Sequence, residues 1–226
     1  MPFKEEANVG RLQVAYRETI TRPAQAQGKY IEQSGGRDLY GDIWLKVEPN
    51  AKGKGFSFVD DIEGERVPKE HIKSVEYSAR KTLENGLLAG FPMVDIKVTF
   101  YDGSYRDVGS SEMAFKMAGS LGVKAAVQKA APILLEPVML VEVSTPLEFY
   151  KEVLSDLNRR WGTILGMESR GESAVVRADV PQAEILGYVN TLRSTTSGRA
   201  SSKEEFAHYD PVPVNIAQEI IARARE

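Results

Sequence analysis

The side chains able to do chemistry are few and scattered. The 226-residue chain has no cysteine and only two histidines, His71 and His208. Thiol nucleophiles, disulfides and cysteine-based zinc sites are therefore excluded. His71 is expected on the exposed first turn of a helix and His208 on a strand. Neither lies in an H-E-x-x-H arrangement, and no G-x-S-x-G occurs. The neighbouring carboxylates Asp60 and Asp61 stand close to Gly64. They read as a solvated turn rather than an acid/base pair. Gly36-Arg37-Asp38-Leu39-Tyr40-Gly41 has the spacing of a phosphate loop, but Asp42 and Ile43 follow it. That loop needs Lys to reach phosphate and Ser or Thr to hold magnesium, and a carboxylate there repels phosphate. Gly53-Lys54-Gly55 lacks the same framework. The expectation is a chain with no catalytic residue, no metal ligand and no intact nucleotide site.

Charge narrows the partners. The net charge is −3, with 19 basic and 19 acidic residues in 1–136 and 10 basic against 13 acidic in 137–226. Any nucleic-acid binding must come from local clusters, not from a bulk positive field. No apolar run approaches the ~18 residues of a membrane span. The polar, acidic start, Met1 to Gly10, is unlike a secretory signal. A cytoplasmic protein without a membrane partner is expected.

The elements that position these residues follow from periodicity. Leu12, Val14 and Tyr16 alternate with polar neighbours and predict a first strand. Further strands are expected over Gly28 to Gln33, Leu39 to Glu48 and Phe56 to Val59. Ile72, Val75, Ala79 and Leu83 form a helical stripe between Pro68 and Gly86. Val94 to Phe100 alternate as a strand, closing in a turn at Tyr101-Asp102-Gly103-Ser104. Ser110 or Ser111 caps the next helix, whose Ala and Gly residues suit close packing on a sheet. A boundary is placed between Pro132 and Pro137, giving domains 1–136 and 137–226. The second reads as strand 138–144, helix 147–158, strands 163–168 and 174–179, helix 182–192 and strand 203–209. That βαββαβ order is ferredoxin-like. A terminal helix, 214–225, follows. The fold class is α+β.

Several segments in order resemble elongation factor G: Gln13-Val14-Ala15-Tyr16-Arg17-Glu18-Thr19-Ile20, Gln33-Ser34-Gly35-Gly36-Arg37, Leu83-Glu84-Asn85-Gly86, Tyr101 to Tyr105, Ser110 to Lys116, Leu134 to Pro137, Ile164 to Glu168 and Leu192-Arg193-Ser194. The resemblance implies that residues 1–136 are the family's fourth domain, elongated and containing a left-handed βαβ crossover. It implies that residues 137–226 are its ferredoxin-like fifth domain. The family's GTPase, with GTP and magnesium, would lie outside this chain, and Met1 reads as a truncation point. The fourth-domain tip enters the small-subunit decoding centre as transfer and messenger RNA advance. Its two loops correspond to Ser34, Gly35, Gly36 and Arg37, and to Gly103, Ser104, Tyr105, Arg106 and Asp107. The fifth domain approaches the large-subunit RNA that activates translational GTPases. Its matching loops carry Arg159, Arg160 and Trp161, and Arg193, Ser194, Thr195, Gly198 and Arg199. The implied protein is a non-enzymatic, monomeric ribosome-binding part of a translocation factor, binding no cofactor itself.

The chain departs from the family pattern at Leu39, Asp42, Arg106 and Gly109, with Leu39 replacing Gln. Arg106 stands where His is usual, Gly109 where Asp is common, and Asp42 where the Gln-Tyr-Gly-His run has His. Arg keeps its charge at neutral pH, so phosphate contact survives but a neutral-ring role does not. The departures suggest a divergent copy, serving translocation, ribosome recycling or a specialised state. A small-molecule kinase on the same crossover fold is the competing class, and it would need the phosphate loop that is missing.

Overall fold

The computed structural model describes residues 14–34 and 37–224. The chain forms two compact bodies. One comprises residues 16–135 and 211–224, and the other residues 14–15 and 136–210.

The first body is a four-stranded sheet in the order β2-β3-β5-β4, with β2 Ala24–Ser34, β3 Arg37–Pro49, β4 Ser57–Asp60 and β5 Ile96–Ser104. β2, β3 and β5 are antiparallel, whereas β4 and β5 run parallel. A parallel pair needs a crossover, and helix α1, Lys69–Glu84, supplies it. The expected stripe holds: Ile72, Val75, Ala79 and Leu83 are all buried on α1. Helix α2, Glu112–Lys129, begins at an N-cap Ser111 whose Oγ accepts from Ala114 N at 3.2 Å. Strand β3 buries Gly41, Ile43, Leu45 and Val47, so its alternate residues face the core.

Small residues let α2 lie on the sheet. A Cβ at Gly28 would stand 2.0 Å from the Ala118 carbonyl oxygen, and one at Gly41 would stand 2.5 Å from that of Ala114. The strand backbones therefore touch the helix backbone directly, which only glycine permits.

The first strand lies later than expected. β1 is Arg17–Ile20, with Glu18 and Ile20 buried, while Leu12 lies outside the described residues. Tyr101-Asp102-Gly103-Ser104 is not a turn but the end of β5, with Gly103 paired to Ile43 and Ser104 to Asp42. The Asp-Gly pair carried the turn signal, but ladder bonding to β3 wins. The expected boundary between Pro132 and Pro137 falls inside a continuous strand. β6, Pro132–Pro146, runs through it, pairing with β1 over residues 132–135 and with a later strand, β8 (Ser173–Pro181), over 138–146.

The second body has the ferredoxin-like layout. β7 Thr163–Arg170, β8 Ser173–Pro181 and β9 Ser201–Pro211 join β6 in the order β7-β8-β6-β9. Helix α3, Tyr150–Arg159, follows a short 3-10 turn, Leu147–Phe149. The single helix expected over 182–192 is two, α4 Gln182–Ile185 and α5 Tyr188–Thr195. Gly187 between them has φ 76°, a left-handed conformation that no helix continues through. Val141, Val143, Val176 and Val180 pack against Val153, Leu157, Tyr188 and Leu192. The final helix, α6 Val214–Ala224, belongs by its contacts to the first body rather than to the ferredoxin-like one. Val212 N donates to Leu134 O at 3.0 Å just before it.

Candidate nucleic-acid interface

The end of the first sheet holds both expected tip loops. β2 and β3 pair as far as Ser34 and Arg37. Gly35 and Gly36 lie outside the described residues. β3 meets Ser104 at Asp42. At ~3.3 Å per residue, the β2–β3 hairpin therefore extends about 17 Å beyond the end of β5. The second loop, residues 105–111, leaves β5 there and enters α2.

Tyr40 organises this second loop. Its N–H donates to Gly109 O at 2.8 Å. Ser110 Oγ donates to its carbonyl oxygen at 3.2 Å and accepts from Arg106 N at 3.0 Å. The Tyr40 hydroxyl is 2.6 Å from Ser104 Oγ and donates to Asp42 Oδ2 at 3.4 Å. Gln27 Nε2 donates to the other Asp42 oxygen at 2.7 Å. The Arg106 guanidinium lies 3.8 Å from the Tyr40 ring centroid. Gly109, a departure noted in the sequence, has φ 98°, and a Cβ there would stand 3.0 Å from Asp38 O. Tyr105, Arg106, Asp107 and Val108 are exposed, Val108 to 80%.

His71 corrects an expectation. It is buried, not exposed, because the first turn of α1 faces α2. Its ring stacks on Phe115 at 4.6 Å and on Tyr105 at 5.4 Å. Its Nδ1 has no hydrogen-bond partner among the described residues. The side chain thus supports the loop from below, through Tyr105.

In the second body, the expected basic loops divide. Arg160 is bound internally: it pairs with Asp156 at 3.0 Å, donates to Glu184 O at 2.7 Å and to Thr191 Oγ1 at 3.2 Å. Arg199 pairs with Glu148 at 2.5 Å and covers the Phe149 ring. Arg159 and Arg193 are exposed and make no side-chain hydrogen bond or ion pair among the described residues. Arg159 and Thr195 line one open groove of about 430 Å³, with Lys151, Ser155 and Thr191 also on its walls. Ser194 is exposed nearby in sequence, and Gly198 has φ 74°, closing the loop by donating to Arg193 O at 2.8 Å. Trp161, in the same loop as Arg159 and Arg160, is 78% exposed.

The anion-binding backbone of the first body is already filled by its own carboxylates. Gly53 N and Gly55 N donate to Asp95 at 3.0 and 2.8 Å. Glu18, fully buried, accepts from the amides of Leu87, Leu88, Ala89 and Phe91 at 2.6 to 3.1 Å. Successive amides of this kind hold phosphates elsewhere, so these two nests are closed to nucleotide. Of the Gly36 to Gly41 spacing, Gly36 lies outside the described residues and residues 37–41 are strand. Among the described residues no cluster of His, Asp or Glu suits a metal. No helix among them is long and apolar enough to cross a membrane.

Known proteins share this arrangement. The family model for elongation factor G, domain IV, matches residues 12–131, and that for the elongation factor G C-terminus matches residues 133–220. The chain belongs to the elongation factor G family. A crystal structure of a protein from Thermus thermophilus is 42% identical with a TM-score of 0.87, matching over 94% of this chain and 32% of that one. This chain thus spans about a third of that relative's length.

Proposed function

We propose that this chain is the ribosome-contacting part of an elongation factor G-type translocation factor, binding RNA through the tip of its first body. The observation that carries this reading is the second tip loop. It is tied to the strand that begins at Arg37, and it exposes Arg106 with no ion pair among the described residues. A cation held on a formed loop suits a phosphate backbone. Arg159 and Arg193 offer a second contact, suited to large-subunit RNA. The chain itself carries out no reaction and binds no cofactor; GTP and magnesium belong to a GTPase portion of the whole factor. It acts in the cytoplasm as a monomer. Arg106 and Asp42 in place of the family's histidines favour a specialised copy over the main translocase.

The test is co-sedimentation with 70S ribosomes over a salt series. Binding should weaken as salt rises. Arg106→Ala should weaken it roughly tenfold and lower the salt slope by about one. Arg37→Ala should do the same at the hairpin. Ribosome binding that ignores salt and both substitutions would overturn the reading.

A further inference from the structure

We infer that Tyr40 is the positioning residue of the tip: it fixes the Arg106 guanidinium as a flat, edge-outward donor for an RNA phosphate. The inference rests on the RNA-contact reading above and adds the residue that makes the contact specific in geometry.

Arg106 on its own would be a mobile side chain on an exposed loop. A guanidinium stacked on an aromatic ring keeps its plane parallel to the ring and turns its N–H edges outward. That is the presentation a phosphate needs for two parallel hydrogen bonds. The ring must not move, and Tyr40 is anchored at every polar atom. Its N–H and carbonyl oxygen hold Gly109 and Ser110, at opposite ends of the loop from Arg106. Its hydroxyl is 2.6 Å from Ser104 Oγ, and Asp42 accepts from it at 3.4 Å. The nearby negative charge of Asp42 is engaged by Tyr40 and by Gln27, and it forms no ion pair with Arg106. The cation therefore stays available to an outside anion. Binding by a preset donor loses less side-chain freedom than binding by a free one.

Tyr40 thus acts through Arg106, and the two should be coupled. The test measures 70S co-sedimentation for the parent chain, Arg106→Ala, Tyr40→Phe, Tyr40→Leu and the Tyr40→Leu/Arg106→Ala pair. Tyr40→Leu should lose roughly the same tenfold as Arg106→Ala, and the pair should lose no more than either alone. Tyr40→Phe, which keeps the ring, should recover most of the binding. Losses that multiply in the pair, or a Tyr40→Leu chain that binds like the parent, would overturn the inference while leaving ribosome binding intact. Should Tyr40→Leu prove unfolded by circular dichroism, Arg106→Lys decides. It keeps the charge but lacks the planar fork, so it should lose most of what Arg106→Ala loses. Full binding by Arg106→Lys would overturn the inference. A parent chain with no salt-dependent binding would overturn the ribosome reading, and this one with it.

Discussion

Glu18 is a fully buried carboxylate held by four backbone amides of the 87–91 segment. A buried charge without partners is costly, but one ringed by N–H donors replaces its lost water. Glu18 also anchors the segment through its own main chain, donating to Pro92 O at 3.1 Å and accepting from Val94 N at 2.8 Å. Glu18→Gln turns an NH₂ toward amides that need an acceptor. It should cost about 3 kcal/mol, read as a lower midpoint in urea unfolding. An unchanged midpoint would mean that the amides find another acceptor. Its role was invisible in the sequence, where Glu18 was only one letter of a family motif, because its partners lie some 70 positions away. Arg106 was legible, but Tyr40 was not. A tyrosine inside an alternating strand looks like core, and nothing local says that a guanidinium rests on it. His71 misled for the same reason: a polar residue in a first turn suggests solvent until a second helix covers it.

At the scale of elements, helix α2 depends on how near it can come to β2 and β3. Gly28→Ala would set a Cβ 2.0 Å from the Ala118 carbonyl oxygen, an atom of rigid helix backbone. The helix would have to lift, at about 3 kcal/mol. Gly119 offers a contrast within α2. Its added Cβ would meet Ser78 Oγ at 2.2 Å, and that hydroxyl is on a side chain able to rotate. Gly119→Ala also gains about 1 kcal/mol of helix propensity, so its net effect should be near zero. Thermal melts of the two variants check the pair; equal losses would show that Ser78 cannot yield. This packing was readable, since a helix rich in Ala and Gly announces a close neighbour. The α1 stripe and the βαββαβ order were readable too, because burial on one face imposes a period. Strand ends were harder. Asp102-Gly103 has turn chemistry yet pairs with β3, and only the partner strand decides that. The split of the 182–192 helix hangs on one glycine, which a helical pattern alone tolerates.

Across the whole molecule, charge and chain path set behaviour that no single element does. In the ferredoxin-like body, burial pushes the Glu136 carboxyl above its ordinary value, with Glu184 and Asp210 adding like charge. The folded state therefore holds this proton more tightly than the unfolded one. Stability from this group is complete at pH below the unfolded carboxyl's range and falls as pH rises through the raised folded value. Glu136→Gln removes that loss. It should raise the melting temperature near neutral pH, with the gain vanishing in mild acid; a gain equal at both pH values would show that ionisation is not the cause. The chain path has a different consequence, in time. The first body opens at residue 16 but is finished by α6, after the ferredoxin-like body has been made. During synthesis, at ~5–20 residues per second, the first body is begun before most of the ferredoxin-like one and completed after it. Until residue 212 emerges, the Leu134 carbonyl oxygen lacks the Val212 N–H from which it accepts in the finished protein.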